Sequence, residues 1–113
     1  MNEVYTIQIS QETVNEYALI SGDDNPIHQD SLFAREQGFA GTIVHGMFVL
    51  SLAREYFNVQ TNFDNQSKLV LNARFKKPIH VGEEITFLVE NKEKIVVKNS
   101  KNEICVDVSK SNV

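Results

Sequence analysis

Asp23 and His28 stand five positions apart and are the side chains of this chain best suited to acid–base chemistry. Asn25 and Pro26 lie between them and disfavour regular structure, which predicts a loop. A loop stiffened by proline can turn both side chains toward one point. A carboxylate and an imidazole that share one water molecule can act as general base and general acid. Asp23 and His28 are therefore the candidate catalytic pair.

The backbone N–H of Gly46 is a third group that could take part in chemistry. A helix is predicted to begin near His45 or Gly46 and to end near Phe57. The first N–H groups of a helix have no partner within it, and the helix dipole favours negative charge at that end. Gly46 can present its N–H with no side chain in the way, but a glycine here could also serve close packing of the helix. Both interpretations of Gly46 stand at this stage.

The segments around the loop must position it. Period-two alternation predicts a short strand over residues 5–9, and helical spacing predicts a helix over Gln11–Ser21 that stops at Gly22. A short helix is predicted over residues 31–37, with Asp30 as its cap. The loop that carries the candidate pair therefore connects two helices.

From residue 68 onward the apolar period changes to two, which is typical of antiparallel strands. One predicted strand precedes Pro78, another follows a turn at Val81 and Gly82, and the last two form a hairpin around residues 99–102. The alternating or continuous apolar positions of these strands are Leu69, Leu71, Ala73, Phe75, Ile85, Phe87, Val89 and the runs 95–98 and 104–108.

The helix that Gly46 opens is apolar nearly all round over residues 47–53, which predicts burial on all sides. A curved antiparallel sheet wrapped around such a central helix, an α+β architecture, accounts for both the helix and the strands. A generic α+β sandwich is the alternative.

The 113 residues suffice for one domain spanning 1–113, and a net charge of −4 with interspersed signs argues against nucleic acid as a partner. Arg74, Lys76 and Lys77 form the one basic cluster, which we interpret as a solvated strand edge rather than an anion site. No apolar run could span a bilayer and no signal peptide is visible, so a cytoplasmic protein is expected. Cys105, the single cysteine, lies in a strand-like run and is interpreted as structural. The three histidines and this thiol show no zinc-ligand spacing, so no metal is expected.

Three stretches resemble the MaoC-like dehydratases, a family that includes the R-specific enoyl-CoA hydratases. Residues 21–30 read S-G-D-D-N-P-I-H-Q-D and meet every fixed position of the family signature, which is Gly-Asp, any residue, Asn-Pro, an aliphatic residue, His, any residue, then Asp or Asn. Residues 44–47, V-H-G-M, resemble the start of the family's central helix at the expected distance. Residues 75–84, F-K-K-P-I-H-V-G-E-E, resemble its strand-turn-strand, so the likeness covers most of the chain.

This resemblance implies a hot-dog fold and a lyase that reversibly hydrates a trans-2-enoyl thioester to the (3R)-3-hydroxyacyl thioester. It implies that Asp23 and His28 are catalytic, that the Gly46 N–H binds the thioester oxygen, and that Asn25 orients the pair. The acyl group would be carried by coenzyme A or by acyl carrier protein, and no metal or redox cofactor is demanded.

Roles are also predicted for residues around the candidate pair. Met47 and Leu50 on the central helix are predicted to line the substrate pocket. His45 is predicted either to line the site or to cap and pack the helix. His80 is predicted to be solvated, and Asp24, at a variable position of the signature, is given no role.

Two other functions are weighed against the hydratase. A non-catalytic acyl-thioester-binding hot-dog module would not need an intact Asp23–His28 pair. A hot-dog thioesterase would carry differently placed acidic residues. A homodimer is expected, because a single sheet around one helix leaves an open face and an exposed edge. The family's strands are usually longer between about residues 89 and 95, which puts in question the edge of the sheet.

Overall fold

The structure is a computed structural model that describes residues 3–61 and 69–112. Its elements, in chain order, are β1 Glu3–Gln8, α1 Gln11–Ser21, a single 3-10 turn Pro26–His28, α2 Ser31–Glu36, α3 Gly46–Thr61, β2 Leu69–Phe75, β3 Glu84–Asn91, β4 Lys94–Lys98 and β5 Ile104–Asn112. Lys68, where the second strand was predicted to begin, lies outside the described residues.

The five strands form one sheet in the order β1-β3-β4-β5-β2, and every neighbouring pair is antiparallel. In β3 the side chains of Ile85, Phe87 and Val89 are buried and alternate with more exposed neighbours, as period-two spacing predicts. These residues belong to the core that packs against Val49 and Phe57 of α3. The predicted arrangement of an antiparallel sheet against one apolar helix is confirmed.

The prediction that α3 is buried on all sides is wrong for the single chain. Val49, Ala53 and Phe57 are buried, but Met47 is 61% exposed and Ser51 is exposed. The physical reason is that the sheet of one chain contacts only one face of a helix. The helix also runs a turn beyond its predicted end at Phe57.

The shortened segment after Val89 does not affect an edge of the sheet. It forms the turn between β3 and β4, which are inner strands, while β1 and β2 are the edges. The register shifts between Val89 and Asn91, and Lys110 N–H donates to the Glu93 carbonyl at 2.9 Å. A tight hairpin inside the sheet therefore replaces the longer strands that the family resemblance led us to expect.

The helix cap and the glycine turns that were predicted from the sequence are present in the structure. The Ser10 side chain caps α1 by accepting from Thr13 N–H at 3.1 Å, and Gly22 ends this helix with φ 80°. Gly82 turns the chain at φ 85° and donates its N–H to the Ile9 carbonyl at 2.8 Å. Among the described residues no helix is both long and apolar enough to cross a membrane.

The single cysteine is buried, and two lysines of the basic cluster are paired with carboxylates. The thiol of Cys105 is fully buried, and this burial raises its pKa, which disfavours a reactive thiolate. Lys76 lies 3.9 Å from a carboxylate oxygen of Asp107, and Lys77 lies 2.5 Å from one of Glu103. The strand-edge interpretation is incomplete, because both lysines also line a cavity that His28 lines.

Candidate active site

The loop after α1 is organised by its own polar side chains. Asp23 N–H donates to Ser21 Oγ at 3.1 Å, and Asn25 N–H donates to Asp23 Oδ1 at 3.3 Å. The Asn25 Oδ1 atom accepts from Ile27 N–H at 3.1 Å and so caps the 3-10 turn. Asn25 therefore shapes the backbone that connects Asp23 to His28, which is a way of orienting the pair.

His28 is held in one orientation by its Nδ1 atom, so that its Nε2 atom faces Asp23. Its side chain is largely buried, and Nδ1 lies 2.8 Å from the Ile43 carbonyl oxygen. A carbonyl can only accept, so Nδ1 carries the hydrogen and Nε2 of the neutral ring keeps a lone pair. Nε2 lies 3.8 Å from Oδ2 of the exposed Asp23. That distance is too long for a direct hydrogen bond and suits a bridging water molecule.

Gln11 supports His28 from the other side and was not predicted to belong to the site. Its Nε2 donates to the His28 carbonyl at 2.7 Å, and its Oε1 accepts from Thr42 Oγ1 at 2.7 Å. Ile43 N–H donates to the Ile27 carbonyl at 3.1 Å. The 3-10 turn is thus fixed between α1 and the segment before α3. Only the tertiary contact identifies Gln11, because in sequence it is merely the first residue of a helix.

His45 is buried next to both members of the pair, with 2% of its surface exposed. Its Nε2 lies 3.0 Å from the Asp23 carbonyl oxygen, and its ring stacks on the ring of His28 at 3.7 Å between centroids. Tyr17 of α1 packs edge-on against His45 at 4.8 Å. The two predicted roles of His45 therefore coincide, since it packs at the start of α3 and also lines the site.

Asp23, His28 and His45 offer ligand atoms that lie within 4.8 Å of one another, a grouping that their spacing in sequence did not predict. One nitrogen of each ring is already in a hydrogen bond. The ring planes differ by only 24°, so their in-plane lone pairs run side by side and do not converge at a bond length of about 2 Å. The arrangement suits acid–base chemistry better than metal binding.

Gly46 is the first residue of α3, as predicted. The His45 carbonyl accepts from Phe48 N–H at 3.1 Å and Val49 N–H at 3.2 Å, which leaves the Gly46 N–H ahead of the helical hydrogen bonds. A Cβ atom at Gly46 would lie 2.9 Å from Cε1 of Phe75. The structure therefore supports both interpretations of this glycine, as an N–H at a helix start and as a site of close packing.

Two cavities meet at Gly46. One, of about 310 Å³, is lined by His28, by Lys76 and Lys77, and by apolar residues that include Val49. The other, of about 470 Å³, is lined by Asp23, His45 and Met47 among others. Gly46 and Phe75 line both. Leu50, which was predicted to line the pocket with Met47, lines neither of these cavities and packs against the core.

Two other predictions concern residues outside the pair. Asp30 caps α2 as predicted, because its Oδ1 accepts from Leu32 N–H at 3.0 Å and from Phe33 N–H at 3.1 Å. His80, which was predicted to be solvated, is partly buried. Its side chain is 30% exposed, its Nδ1 lies 3.4 Å from Glu83 Oε2, and its Nε2 is buried. An isolated bridge between residue 80 and Ile43 holds this turn against the segment before α3.

The MaoC-like domain family matches residues 1–113, and the chain belongs to this family. A mitochondrial 3-hydroxyacyl-acyl-carrier-protein dehydratase of Arabidopsis thaliana is 33% identical over 100 residues, covering 88% of this chain and 57% of the relative. An (R)-specific enoyl-CoA hydratase of Aeromonas caviae is 38% identical over 74 residues, covering 66% of this chain and 55% of that protein. The chain thus spans little more than half the length of these relatives.

Solved structures share the architecture. An (R)-hydratase from A. caviae matches with a TM-score of 0.81 at 23% identity, over 97% of this chain and 92% of that one. An R-hydratase from Pseudomonas aeruginosa matches with a TM-score of 0.76 at 23% identity, over 100% of this chain and 84% of that one. At this level of identity the likeness establishes the fold alone, and it confirms the predicted hot-dog fold.

Proposed function

We propose that this chain is a lyase that reversibly adds water to a trans-2-enoyl thioester and forms the (3R)-3-hydroxyacyl thioester. One observation carries the proposal. The Asp23 carboxylate and the free Nε2 of His28 face each other across 3.8 Å, beside the start of α3 and at the walls of two adjoining cavities. The names of the relatives, a dehydratase and a hydratase of acyl thioesters, agree with it.

The pair can activate one water molecule between its two members. In the hydration direction the water oxygen bonds to the β-carbon while one of its protons moves to the lone pair of His28 Nε2. The Asp23 carboxylate accepts a hydrogen bond from the O–H that stays on the attacking oxygen, and it faces the imidazolium charge that forms. The α-carbon then takes up the proton from Nε2, so that the ring is neutral again and only water has been added.

The Gly46 N–H can stabilise the charge that the reaction creates. As the water attacks, the electron pair of the C=C bond moves toward the thioester oxygen, and it returns when the α-carbon is protonated. An N–H at the start of α3, aided by the helix dipole, favours that oxygen most when it is negative. Addition of water requires neither a redox cofactor nor a metal. The carrier of the acyl group would be coenzyme A or acyl carrier protein.

A single assay with crotonyl-CoA tests the proposal. Hydration removes the ultraviolet absorbance of the conjugated thioester without releasing a thiol, and the Asp23→Asn variant provides the inactive control. Release of free thiol would identify a thioesterase instead. Binding of crotonyl-CoA without either change would identify a non-catalytic acyl-thioester-binding module.

A further inference from the structure

Phe75, the last residue of β2, stands between the two cavities of the site. The residue is 52% exposed, and its ring lies against the start of α3, where a Cβ at Gly46 would be 2.9 Å from Cε1. Phe75 is, with Gly46, one of the two residues that line both cavities, so it forms part of the wall where they adjoin.

The two members of the candidate pair line different cavities. His28 lines the cavity of about 310 Å³, and Asp23 lines the cavity of about 470 Å³. If both act on one water molecule, the reacting carbons lie where the cavities meet, next to Gly46 and Phe75. The two ends of the substrate then extend in opposite directions, one into each cavity.

Both cavities combine apolar and polar walls. Val49, Ile79 and Val106 line the smaller cavity together with Lys76 and Lys77, and Met47 lines the larger one together with Tyr17, Ser21 and Asp23. Phe75 lines both cavities, so its ring flanks the acyl tail next to the reacting carbons whichever cavity receives that tail.

We propose that Phe75 is a specificity-determining residue that restricts the enzyme to short-chain enoyl thioesters. The inference rests on the proposed hydratase function and adds the substrate class. The ring cannot move toward α3 without meeting the Gly46 backbone, so it acts as a wall for acyl chains that need more room. Discrimination against added methylene groups by such a wall is typically about 10- to 200-fold in kcat/KM.

The test measures kcat/KM of the wild type, Phe75→Ala and Phe75→Leu with crotonyl-, hexenoyl- and octenoyl-CoA. We expect the wild type to prefer crotonyl-CoA, and we expect Phe75→Ala to raise the ratio of octenoyl to crotonyl activity by about tenfold or more. Phe75→Leu should show a smaller shift and keeps an apolar side chain should the alanine variant not fold. Tyr5→Ala is the matched control, because Tyr5 is a partly exposed aromatic on β1 that lines neither cavity, and it should leave the ratio unchanged.

The outcomes separate this inference from the proposed function. An unchanged chain-length ratio in both folded variants, or a wild type that turns over all three chains alike, overturns the role of Phe75 and leaves the hydratase function standing. A wild type that hydrates none of the three substrates overturns the hydratase function, and the inference about Phe75 with it.

Discussion

At the scale of single residues, backbone groups orient the two candidate acid–base side chains. The Ile43 carbonyl accepts a hydrogen bond from Nδ1 of His28, which fixes the hydrogen of the neutral ring on that nitrogen. The lone pair of Nε2 therefore faces Asp23. His45 Nε2 donates to the main-chain carbonyl of Asp23, and Asn25 N–H donates to the Asp23 carboxylate. The two candidate groups are therefore oriented by the protein itself, as acid–base catalysis would require.

Removal of either reactive group should abolish most of the turnover without unfolding the protein. We expect Asp23→Asn and His28→Gln each to lower kcat by about 10²- to 10⁴-fold, the usual effect of a positioned acid or base. Asp24→Asn is the matched control, since Asp24 is an exposed neighbour at the variable position of the signature. Activity is measured with crotonyl-CoA and folding by circular dichroism. Full activity in a folded Asp23 or His28 variant would exclude that residue from the pair.

The two roles of Gly46 can be separated in a Phe75→Ala background. Any Cβ at position 46 meets the Phe75 ring, so the ring has to be removed first. Gly46→Ala then keeps the N–H, whereas Gly46→Pro removes it at the first helical position, where proline is tolerated.

With crotonyl-CoA we expect the alanine double variant to match Phe75→Ala, and the proline double variant to have a kcat about 10²- to 10³-fold lower. Equal kcat values in two folded double variants would mean that the oxyanion donor lies elsewhere and that Gly46 serves packing alone. Loss of folding in the proline variant only would contradict the placement of the helix start.

At the scale of elements, the 3-10 turn is fixed by α1 and by the segment before α3, and Gln11 joins them. Substitution of Gln11 by leucine leaves the His28 carbonyl and the Thr42 hydroxyl without this partner. An unsatisfied, partly buried polar group typically costs about 1–3 kcal/mol, so we expect the free energy of unfolding to fall by about that amount.

The measurement is urea denaturation of Gln11→Leu beside Asn15→Ala. Asn15 accepts from the same Gln11 amide but is exposed, and we expect its variant to change stability by no more than about 0.5 kcal/mol. If Gln11→Leu is as stable as the wild type, the bridge between α1 and the turn contributes nothing measurable.

The titration of Cys105, a buried residue of β5, makes the stability of the protein depend on pH. Burial, with Glu83 and Glu103 nearby, raises the pKa of this thiol, so the folded state binds its proton more tightly than the unfolded state. Its contribution to stability is complete below the ordinary thiol pKa and is lost as the pH rises through the raised value. We expect the stability advantage of the wild type over Cys105→Ala to shrink between neutral pH and about pH 10. Urea denaturation at both pH values would show it, and a constant difference would contradict it.

At the scale of the whole molecule, one face of α3 remains uncovered in the single chain. Met47 is 61% exposed, and within the described residues β1 and β2 are the edge strands of the sheet, each paired on one side. We therefore expect a homodimer that covers α3, because a chain of 113 residues buries limited core alone. Light scattering of active protein at micromolar concentration checks this, and a purely monomeric mass would contradict it.

Much of the molecule could be predicted from its sequence, because the deciding interactions are local. Helix caps, the left-handed glycines and the alternating strands depend on a few neighbouring residues. Gly22, Asp30 and Gly82 therefore behave as predicted. The signature from residue 21 to 30 likewise placed Asp23 and His28 on one loop.

Other features were decided only by tertiary structure. The exposure of Met47 and the partial burial of His80 depend on which surfaces one sheet covers. The sequence by itself determined the fold class and the candidate pair, since the periodicity and the signature that predict them lie along the chain. Only the folded chain brought Gln11, His45 and Phe75 to that pair, because contacts between residues distant in sequence depend on how the elements pack.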